Sequence, residues 1–498
     1  MNVNPITRLD YPDLDVIRVE DTYYMVSTTM HFMPGCEILQ SFDLVHWEHV
    51  TYVYETLDHT DAQQLKSGQN IYGQGMWAAS LRYHEGRFCI CFVANDTRKT
   101  YLYTSEKIDG PWKKQLIEGF YHDGSLLFDE DGRSYIVYGN DEIWITELNE
   151  DLTAPKKDGL HRLLVSDHKN PELGYEGSHI QKINGYYYIF LIHSLRDRWM
   201  RTEACFYSDS LEGEFTGGDV LCDDRGYCGQ GVAQGGIVDT PDGKWYAMLF
   251  QDSGAVGRIP ILLPVTWKDH FPFFGQNGHV PEEIEVHSTR PGYIYQPLVG
   301  SDDFCNGLLP RWQFNHDPDP RYYHLDALQG TYTITTREVC TELTQAVNTL
   351  TQRMSYPSCA AEVTVDASAL KEGDVAGLCA LQSCYAAVGI TKHHGKYEVL
   401  MLDKKEDGIL DMTEGTVVES HQMDFRLEAD FCNMKDEARC YYRVNKGDWL
   451  PIGTVHKLYF KLDHFTGCRF GLFCYAAEET GGSACFRDFK YYDVDEIS

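Results

Sequence analysis

Five short segments in the first half of the chain each place a polar or aromatic residue just before a strand–turn–strand pattern. Three of these residues are acids, one is an indole and one is an amide: Asp13, Trp77, Asp123, Glu176 and Gln234. If the segments are equivalent in space, one position of a ring brings three carboxyl groups together. Like charges repel one another in the folded state, so such a cluster is unfavourable for folding. That cost indicates that the carboxyl groups take part in chemistry.

Three carboxyl groups around one pocket suit the cleavage of a glycosidic bond. One acid protonates the leaving oxygen, and one carboxylate activates water on the opposite face of the sugar. Inversion of configuration requires these two carboxyls roughly 6.5–9.5 Å apart. A third carboxylate would tune and orient the acid by repulsion. A single acid beside a turn is more typical of a cap or turn former, so the hypothesis rests on the joint placement of all three.

Four further residues are candidates for contacts with a sugar. Trp77 is either a core residue or a wall against which sugar C–H faces stack. Phe32 and Met33, in the segment TTMHFMPGC, follow the first hairpin and are predicted to line the mouth of the pocket. Arg258, in GAVGRIP, is a charge among apolar residues and requires a partner. That partner is a ring acid, a sugar hydroxyl or the acid of a structural ion pair.

These side chains require elements that bring five segments to one axis. Short runs rich in Tyr, Phe, Val and Ile alternate with turn residues, and helical periodicity is nearly absent, which is typical of all-β structure. The candidate ring positions are 46 to 64 residues apart, which suits blades of four strands with loops of different length. The sequence therefore predicts a five-bladed β-propeller over residues 1–295.

The character of the sequence changes after a linker rich in Pro and Gly. Alternating runs such as AAEVTVDA and KYEVLMLDKK indicate a β-sandwich, predicted over residues 300–498. Two of its segments, FTGC and EETGGSACFRDF, are interpreted as ordinary turns, with a loop that closes the pocket as the alternative.

Composition limits the classes of function. The 498 residues include 43% hydrophobic ones, which is enough for two packed domains. A formal net charge of −32 repels phosphate backbones, so no nucleic-acid partner is expected. No signal peptide and no apolar stretch of membrane-spanning length is visible, so no membrane association is expected. Sixteen cysteines without a CxxC pair indicate reduced thiols and a cytoplasmic protein. The sequence does not predict the oligomeric state.

In order, five motifs of the chain resemble glycoside hydrolase family 43. They are YPDLDVIRVEDTYYMVSTT, GMWAASLRYHEGRF, HDGSLLFDEDGRSYIVYG, YEGSHIQKINGYYYI and VDTPDGKWYAML, within roughly residues 4–290. The resemblance implies an inverting enzyme on a five-bladed propeller, many members of the family acting on arabinoxylan. The second half is similar to the concanavalin-like β-sandwich of members that act as β-xylosidases and α-L-arabinofuranosidases.

The resemblance assigns roles to single residues. Asp13 corresponds to the general base, Glu176 to the general acid, and Asp123 to the aspartate that modulates and orients the acid. The remaining matches are substrate-contacting aromatics and an arginine near the carboxylates: Trp77, Phe32 and Arg258.

Gln234 departs from the family pattern. Many members carry a histidine there, in a GHG or GHA context, which helps to hold a calcium ion or its waters. In this chain the run is AQGG. Calcium prefers oxygen ligands, so the side-chain oxygen of Gln234 is the candidate ligand for a calcium ion at the propeller axis. The chemistry itself is expected to need no cofactor.

The leading hypothesis is an inverting exo-glycosidase that releases terminal α-L-arabinofuranosyl residues, with β-D-xylosyl residues second, from arabinoxylan-derived oligosaccharides. One alternative has β-xylosidase as its main activity. Another is a retaining, fructosidase-type enzyme with carboxyls only about 5–5.5 Å apart. A third is a sugar-binding propeller without catalysis.

Overall fold

The computed structural model describes residues 3–413 and 415–493, whose regular secondary structure is almost entirely β-strand. Five sheets of four strands make up the first half, and two larger sheets make up the second. This confirms the predicted all-β class, a five-bladed β-propeller followed by a β-sandwich. No helix among the described residues has the length and apolar character of a membrane span.

The bounds of the elements in the first half follow from the turn residues between them. The strands are β1 Asp15–Val19, β2 Thr22–Ser27, β3 Phe32–Met33, β4 Gly35–Ser41, β5 Glu48–Tyr54, β6 Met76–His84, β7 Arg87–Ala94, β8 Lys99–Ser105, β9 Lys113–Ile117, β10 Ser125–Phe128, β11 Ser134–Asn140, β12 Glu142–Leu148, β13 His161–Ser166, β14 Glu176–Ile183, β15 Tyr186–Ser194, β16 Arg201–Ser208, β17 Thr216–Leu221, β18 Val232–Asp239, β19 Trp245–Asp252, β20 Arg258–Lys268 and β21 Phe271–Phe274.

The strands of the second half, in chain order, are β22 Gln313–Asn315, β23 Tyr323–Asp326, β24 Thr331–Thr335, β25 Leu350–Arg353, β26 Ser358–Asp366, β27 Val375–Leu381, β28 Ala386–His393, β29 Lys396–Lys404, β30 Leu410–Met412, β31 Thr416–Val418, β32 Gln422–Asp430, β33 Glu437–Arg443, β34 Leu450–Lys457, β35 Arg469–Tyr475 and β36 Ser483–Asp493. Four short 3-10 helices complete the described elements: Lys66–Gly68, Gly254–Val256, Leu343–Gln345 and Cys432–Met434. The predicted domain boundaries lie between β21 and β22, in a stretch without strands.

Each blade begins with the hairpin that its turn residues predict. In blade four, Ile183 pairs with Tyr186 around Asn184 and Gly185, and both turn residues have positive φ. Asn and Gly adopt this left-handed conformation at little cost, and the resulting turn matches the twist of the strands. The other blades also begin with an antiparallel hairpin, closed by two residues in blades one and two and by five in blades three and five. The start of every innermost strand lies at the propeller axis.

The sandwich consists of a nine-stranded and a seven-stranded sheet. β3 of the propeller is the edge strand of the larger sheet: Met33 pairs with Phe314, and Phe32 pairs with Asn315. The propeller also contributes Ala255 to the buried core of the sandwich. The two halves therefore share a sheet and a core.

Buried charges also cross this interface. Arg353 of β25 lies 2.8 Å from Glu37 of β4, and its guanidinium packs 4.1 Å from the centre of the Tyr11 ring. Both side chains of the ion pair are almost completely buried. Removing either partner while the halves stay docked would leave a buried charge unpaired, which is strongly unfavourable. All sixteen cysteines are free thiols.

Candidate active site

The innermost strands present two adjacent rings of residues at the propeller axis. The inner ring is defined by a positive φ in every blade and contains Asp13, Ala78, Asp123, Gly177 and Gln234. The outer ring is formed by the preceding residue of each blade: Pro12, Trp77, His122, Glu176 and Ala233. In three blades the strand register shifts at this point, as a β-bulge does.

The prediction that all five candidates share one position is therefore wrong for Trp77 and Glu176, which stand one residue earlier. The cause is the length of the hairpin loops. Blades three and five close between Phe128 and Ser134 and between Asp239 and Trp245, with longer loops than the other blades. The same number of residues counted back from the turn therefore ends in the inner ring in some blades and in the outer ring in others. The offset also hid His122, which shares its position with Glu176.

Asp13 lies on the axis with both carboxylate oxygens engaged. Its Oδ1 accepts a hydrogen bond from the Arg258 guanidinium at 2.8 Å, and its Oδ2 accepts one from the Thr28 hydroxyl at 2.8 Å. The side chain is 8% exposed. Two donors, one of them cationic, hold the Asp13 carboxylate in place as a hydrogen-bond acceptor. A general base must be such an acceptor.

Glu176 is the most accessible of the three acids, with a side chain 22% exposed. Its Oε2 accepts a hydrogen bond from the Asn140 side chain at 2.7 Å and lies 3.7 Å from the His122 Nε2. The outer-ring position lifts this carboxyl above the inner ring, towards solvent. A group that must protonate a bound substrate requires this kind of access.

Asp123 lies between the other groups. Its Oδ2 accepts a hydrogen bond from the Gly177 backbone N–H at 3.0 Å and lies 3.6 Å from the His122 Nε2. Gly177 is required there, because its φ is positive and an added Cβ would lie 2.7 Å from the Gln234 side chain. The backbone N–H of Gly177 therefore orients Asp123. Because Gly177 directly follows Glu176, this hydrogen bond also fixes the position of Glu176.

His122 and Asp123 form an electrostatic pair in this pocket. The Asp123 carboxylate, together with Glu176 and Asp13, raises the pKa of His122 to about 9 despite burial. Burial raises the pKa of Asp123 to about 6; Glu176 and Asp13 add to this by repulsion, and the His122 cation opposes it. Near neutral pH the site therefore holds an imidazolium between two carboxyl groups, a feature that the sequence analysis missed.

Trp77 and Arg258 form one wall of the pocket with a residue of the sandwich. The Phe465 ring lies 5.4 Å from the Trp77 ring and 4.2 Å from the Arg258 guanidinium carbon. Phe465 opens the FTGC segment, so the alternative of a closing loop from the second domain fits the structure better than an ordinary turn. The partner of Arg258 is the ring acid Asp13.

Phe32 and Met33 lie inside the protein. Both are buried in β3, where they pair with the sandwich. The guanidinium carbon of Arg469 stacks 3.4 Å from the centre of the Phe32 ring. Their proposed contact with substrate stays a prediction; in this structure they connect the two domains.

Gln234 occupies the inner ring beside a small axial cavity. Its backbone N–H donates to the Glu203 carboxyl at 2.7 Å, and burial raises the pKa of Glu203 well above its ordinary value. The cavity has a volume of about 10 Å³ and is also lined by Asp123, Ser178 and His179. Ser178 is already engaged, since its hydroxyl donates to the Asp123 carbonyl.

This donor set does not match calcium, which takes six to eight oxygen ligands. The cavity is close to the volume of one water molecule. Calcium at the axis stays a prediction, and no step proposed below passes through a metal.

Two family models match the chain. The model of the glycosyl hydrolases family 43 matches residues 3–272, and that of the beta xylosidase C-terminal concanavalin A-like domain matches residues 301–492. A beta-xylosidase of Formosa agariphila is 26% identical over 99% of this chain and 89% of its own length. A xylosidase/arabinosidase of Butyrivibrio fibrisolvens is 23% identical over 99% of both chains.

A solved structure is also similar over almost the whole chain. It is described as a bifunctional GH43-CE of Bacteroides eggerthii, with 42% sequence identity and a TM-score of 0.92. The match covers 99% of this chain and 64% of that longer one. The similarity spans both the propeller and the sandwich.

Proposed function

The chain belongs to glycosyl hydrolase family 43, and from that premise we propose an inverting exo-glycosidase that releases single pentosyl residues from xylan-derived oligosaccharides. β-D-Xylosyl and α-L-arabinofuranosyl groups are the two candidates, since relatives carry the names beta-xylosidase and xylosidase/arabinosidase. These names give the xyloside more weight than the sequence hypothesis did. The observation that supports the proposal most is the contrast between Asp13, held by two donors, and the more accessible Glu176.

The reaction uses the two carboxyls on opposite faces of the bound sugar. Glu176 gives its proton to the glycosidic oxygen as the bond to the anomeric carbon breaks. Asp13 takes a proton from the water whose oxygen attacks that carbon from the other face. Asp123 and His122 hold the acid in place, and solvent returns the proton from Asp13 to Glu176 after product release. The aglycone leaves with the proton of Glu176, so atoms and charge balance.

A pocket closed on one side favours attack at chain ends. Phe465 of the sandwich covers the wall formed by Trp77 and Arg258, which leaves little room for sugars on both sides of the cleaved bond. We expect the substrates to be short oligosaccharides and, given the free thiols, the enzyme to work in the cytoplasm.

Product stereochemistry tests the mechanism. Proton NMR during hydrolysis of a β-D-xyloside should show α-D-xylose first, because a single displacement inverts the anomeric carbon. Initial formation of β-D-xylose would instead support the retaining alternative. Parallel assays with 4-nitrophenyl β-D-xyloside and α-L-arabinofuranoside rank the two sugars, and a calcium chelator is expected to leave both rates unchanged.

Replacement of the acid tests catalysis against simple sugar binding. Glu176→Gln should lower turnover of xylobiose by at least about 100-fold, since general acid catalysis contributes roughly 10²–10⁴-fold, while binding of xylobiose persists. The control is Glu85→Gln, an exposed acid in the turn between β6 and β7. Unchanged turnover in Glu176→Gln would remove this residue as the acid.

A further inference from the structure

A second cavity lies where the two domains meet, lined by residues outside the active site described above. This junction pocket has a volume of about 200 Å³ and is bounded by two prolines and six polar residues: His59, Gln64, Asp317, Asp319, Arg321 and Arg337. The first two come from the segment between β5 and β6 of the propeller. The other four come from the sandwich segments that follow β22 and β24.

Direct hydrogen bonds hold the two walls of the junction pocket together. The Asp317 backbone N–H donates to the Gln63 carbonyl at 2.8 Å, and the Arg337 guanidinium donates to the Gln64 carbonyl at 2.9 Å. His59 Nδ1 lies 2.8 Å from the Asp317 carboxylate. The pocket is therefore a built feature of the domain junction rather than a gap between loosely packed surfaces.

Two polar side chains that line this pocket are open to it. His59 and Arg321 are 57% and 75% exposed, whereas Asp317 and Arg337 are 0% and 7% exposed and lie behind the surface of the pocket. A ligand here accepts from the Arg321 guanidinium and bonds to the His59 ring, and a hydroxyl group does both.

Both arginines at the pocket are paired with carboxylates. Asp319 accepts two hydrogen bonds from the exposed Arg321, at 2.9 and 2.7 Å, and lies 3.5 Å from Arg337. Asp317 is paired with His59. No cation is left over for a phosphate or a carboxylate ligand, so the pocket favours a neutral molecule with several hydroxyl groups. The ring faces of Pro318 and Pro320 offer apolar surface for sugar C–H groups.

We propose that the junction pocket is a second carbohydrate site that binds one pentose ring. Its volume holds roughly seven water molecules at liquid density, which suits one sugar ring but not two. The ring is either a free monosaccharide or the terminal unit of an oligosaccharide. The choice of a pentose rests on the proposed function, whereas the existence of a neutral sugar site rests on the pocket alone.

Crystals grown in D-xylose, and crystals of Glu176→Gln grown in xylobiose, test the site directly. We expect one sugar ring in the junction pocket, with hydroxyl groups bonded to the Arg321 guanidinium and the His59 ring. The two crystals separate free pentose from an oligosaccharide end. A pocket that holds only water at saturating sugar, while the active site is filled, would overturn the proposal, as would displacement of the sugar by inorganic phosphate.

Variants test the site in solution. Ligand-observed NMR titration with D-xylose should show two classes of site in the wild type. In Arg321→Ala the class assigned to the junction pocket should weaken about tenfold, since a hydrogen bond to a charged group is worth about that much. Gln64→Leu provides an independent second variant at the mouth of the same pocket.

Arg290→Ala is the matched control, because Arg290 forms a comparable exposed double hydrogen bond to Asp21 outside the pocket. All three variants should hydrolyse xylobiose at the wild-type rate, which verifies folding. Two unchanged classes of site in both pocket variants would contradict the proposal. A wild-type protein that does not hydrolyse xylobiose would instead count against the proposed function, whatever the crystals contain.

Discussion

At the scale of single residues, His122 distinguishes this site from a simple set of three acids. Its Nε2 lies 3.6 Å from Asp123 and 3.7 Å from Glu176 and has no hydrogen-bond partner among the residues that the structure describes. An imidazolium in this place offsets the repulsion between the carboxyl groups, which explains how three acids share one pocket. His122 thus positions the acid and its neighbour electrostatically.

His122→Gln should change the pH dependence of catalysis. Without the cation, the pKa of Asp123 rises further above about 6, so the acid limb of the kcat/KM profile that reports Asp123 should move to higher pH by about one unit. At neutral pH kcat should fall about tenfold. This is less than the roughly 10²–10⁴-fold that a general acid or base contributes, because His122 acts through its neighbours. The measurement is the pH profile of xylobiose hydrolysis between pH 5 and 9.

His84→Gln is the control for this experiment. His84 also stands beside an acid, with its Nε2 3.9 Å from the Glu85 carboxylate, but it lies in an exposed hairpin. Its profile should match that of the wild type. If the two variants behave alike, His122 has no electrostatic role in the site.

At the scale of elements, Arg82 of β6 connects the innermost strands of four blades. Its guanidinium donates to the Asp15 carboxylate at 2.7 Å, to the Leu126 carbonyl at 2.8 Å and to the Ser125 hydroxyl at 2.7 Å. A fourth hydrogen bond reaches the Ile180 carbonyl at 3.1 Å. Asp13 and Asp123 lie two residues before β1 and β10, and Glu176 begins β14. One side chain therefore holds together the three strands that position the acids.

Arg82→Met should destabilise the protein by about 3–5 kcal/mol, since breaking a buried ion pair leaves a charge without a partner. Burial raises the pKa of Asp15, but Arg82 and His179 outweigh it and hold the pKa at about 2. This depressed pKa stabilises the fold above the unfolded value of about 4, and the contribution is lost as pH falls towards 2. Urea unfolding at neutral pH measures the loss.

Arg133→Met is the comparison for Arg82→Met. Arg133 pairs with Asp131 in an exposed turn, where both side chains are 44% exposed. Solvent screens such a pair, and its loss should change the free energy of unfolding by less than about 1 kcal/mol. Equal effects of the two variants would contradict the central role of Arg82.

The elements were predictable from the sequence because strand alternation and turn residues are local signals. Asn184 and Gly185 alone mark one hairpin. The exact ring positions were not predictable, because the longer loops before Ser134 and Trp245 each shift the count by one residue. The contribution of Phe465 depends on how two domains dock, a long-range contact that no local pattern encodes.

At the scale of the whole molecule, the interface that forms the pocket wall also contains a cluster of imidazoles. His31 of the propeller lies 4.8 Å from His316 of the sandwich, and the His464 ring stacks 3.9 Å from the Tyr72 ring. Arg469 lies close enough to repel a proton on His31. The residue that follows His464 is Phe465, so docking and catalysis share one segment.

This cluster should make the docked structure sensitive to acid. Burial lowers the pKa of His464 to about 4 and the pKa values of His31 and His316 well below normal. Because unfolded histidines titrate near about 6.5, the unfolded chain binds more protons below that pH. The free energy of unfolding should therefore fall as pH drops from 6.5 towards 4, by up to about 1.4 kcal/mol per pH unit for each histidine.

His464→Phe isolates one of these contributions, since a phenyl ring keeps the stacking on Tyr72 but cannot bind a proton. Between pH 6.5 and 4 its unfolding free energy should fall less steeply than that of the wild type, by about 1.4 kcal/mol per pH unit. His168→Phe, at an exposed position, should keep the wild-type slope. Urea titrations at several pH values measure these slopes, and an equal slope in all three proteins would show that His464 is not a buried neutral imidazole at the interface.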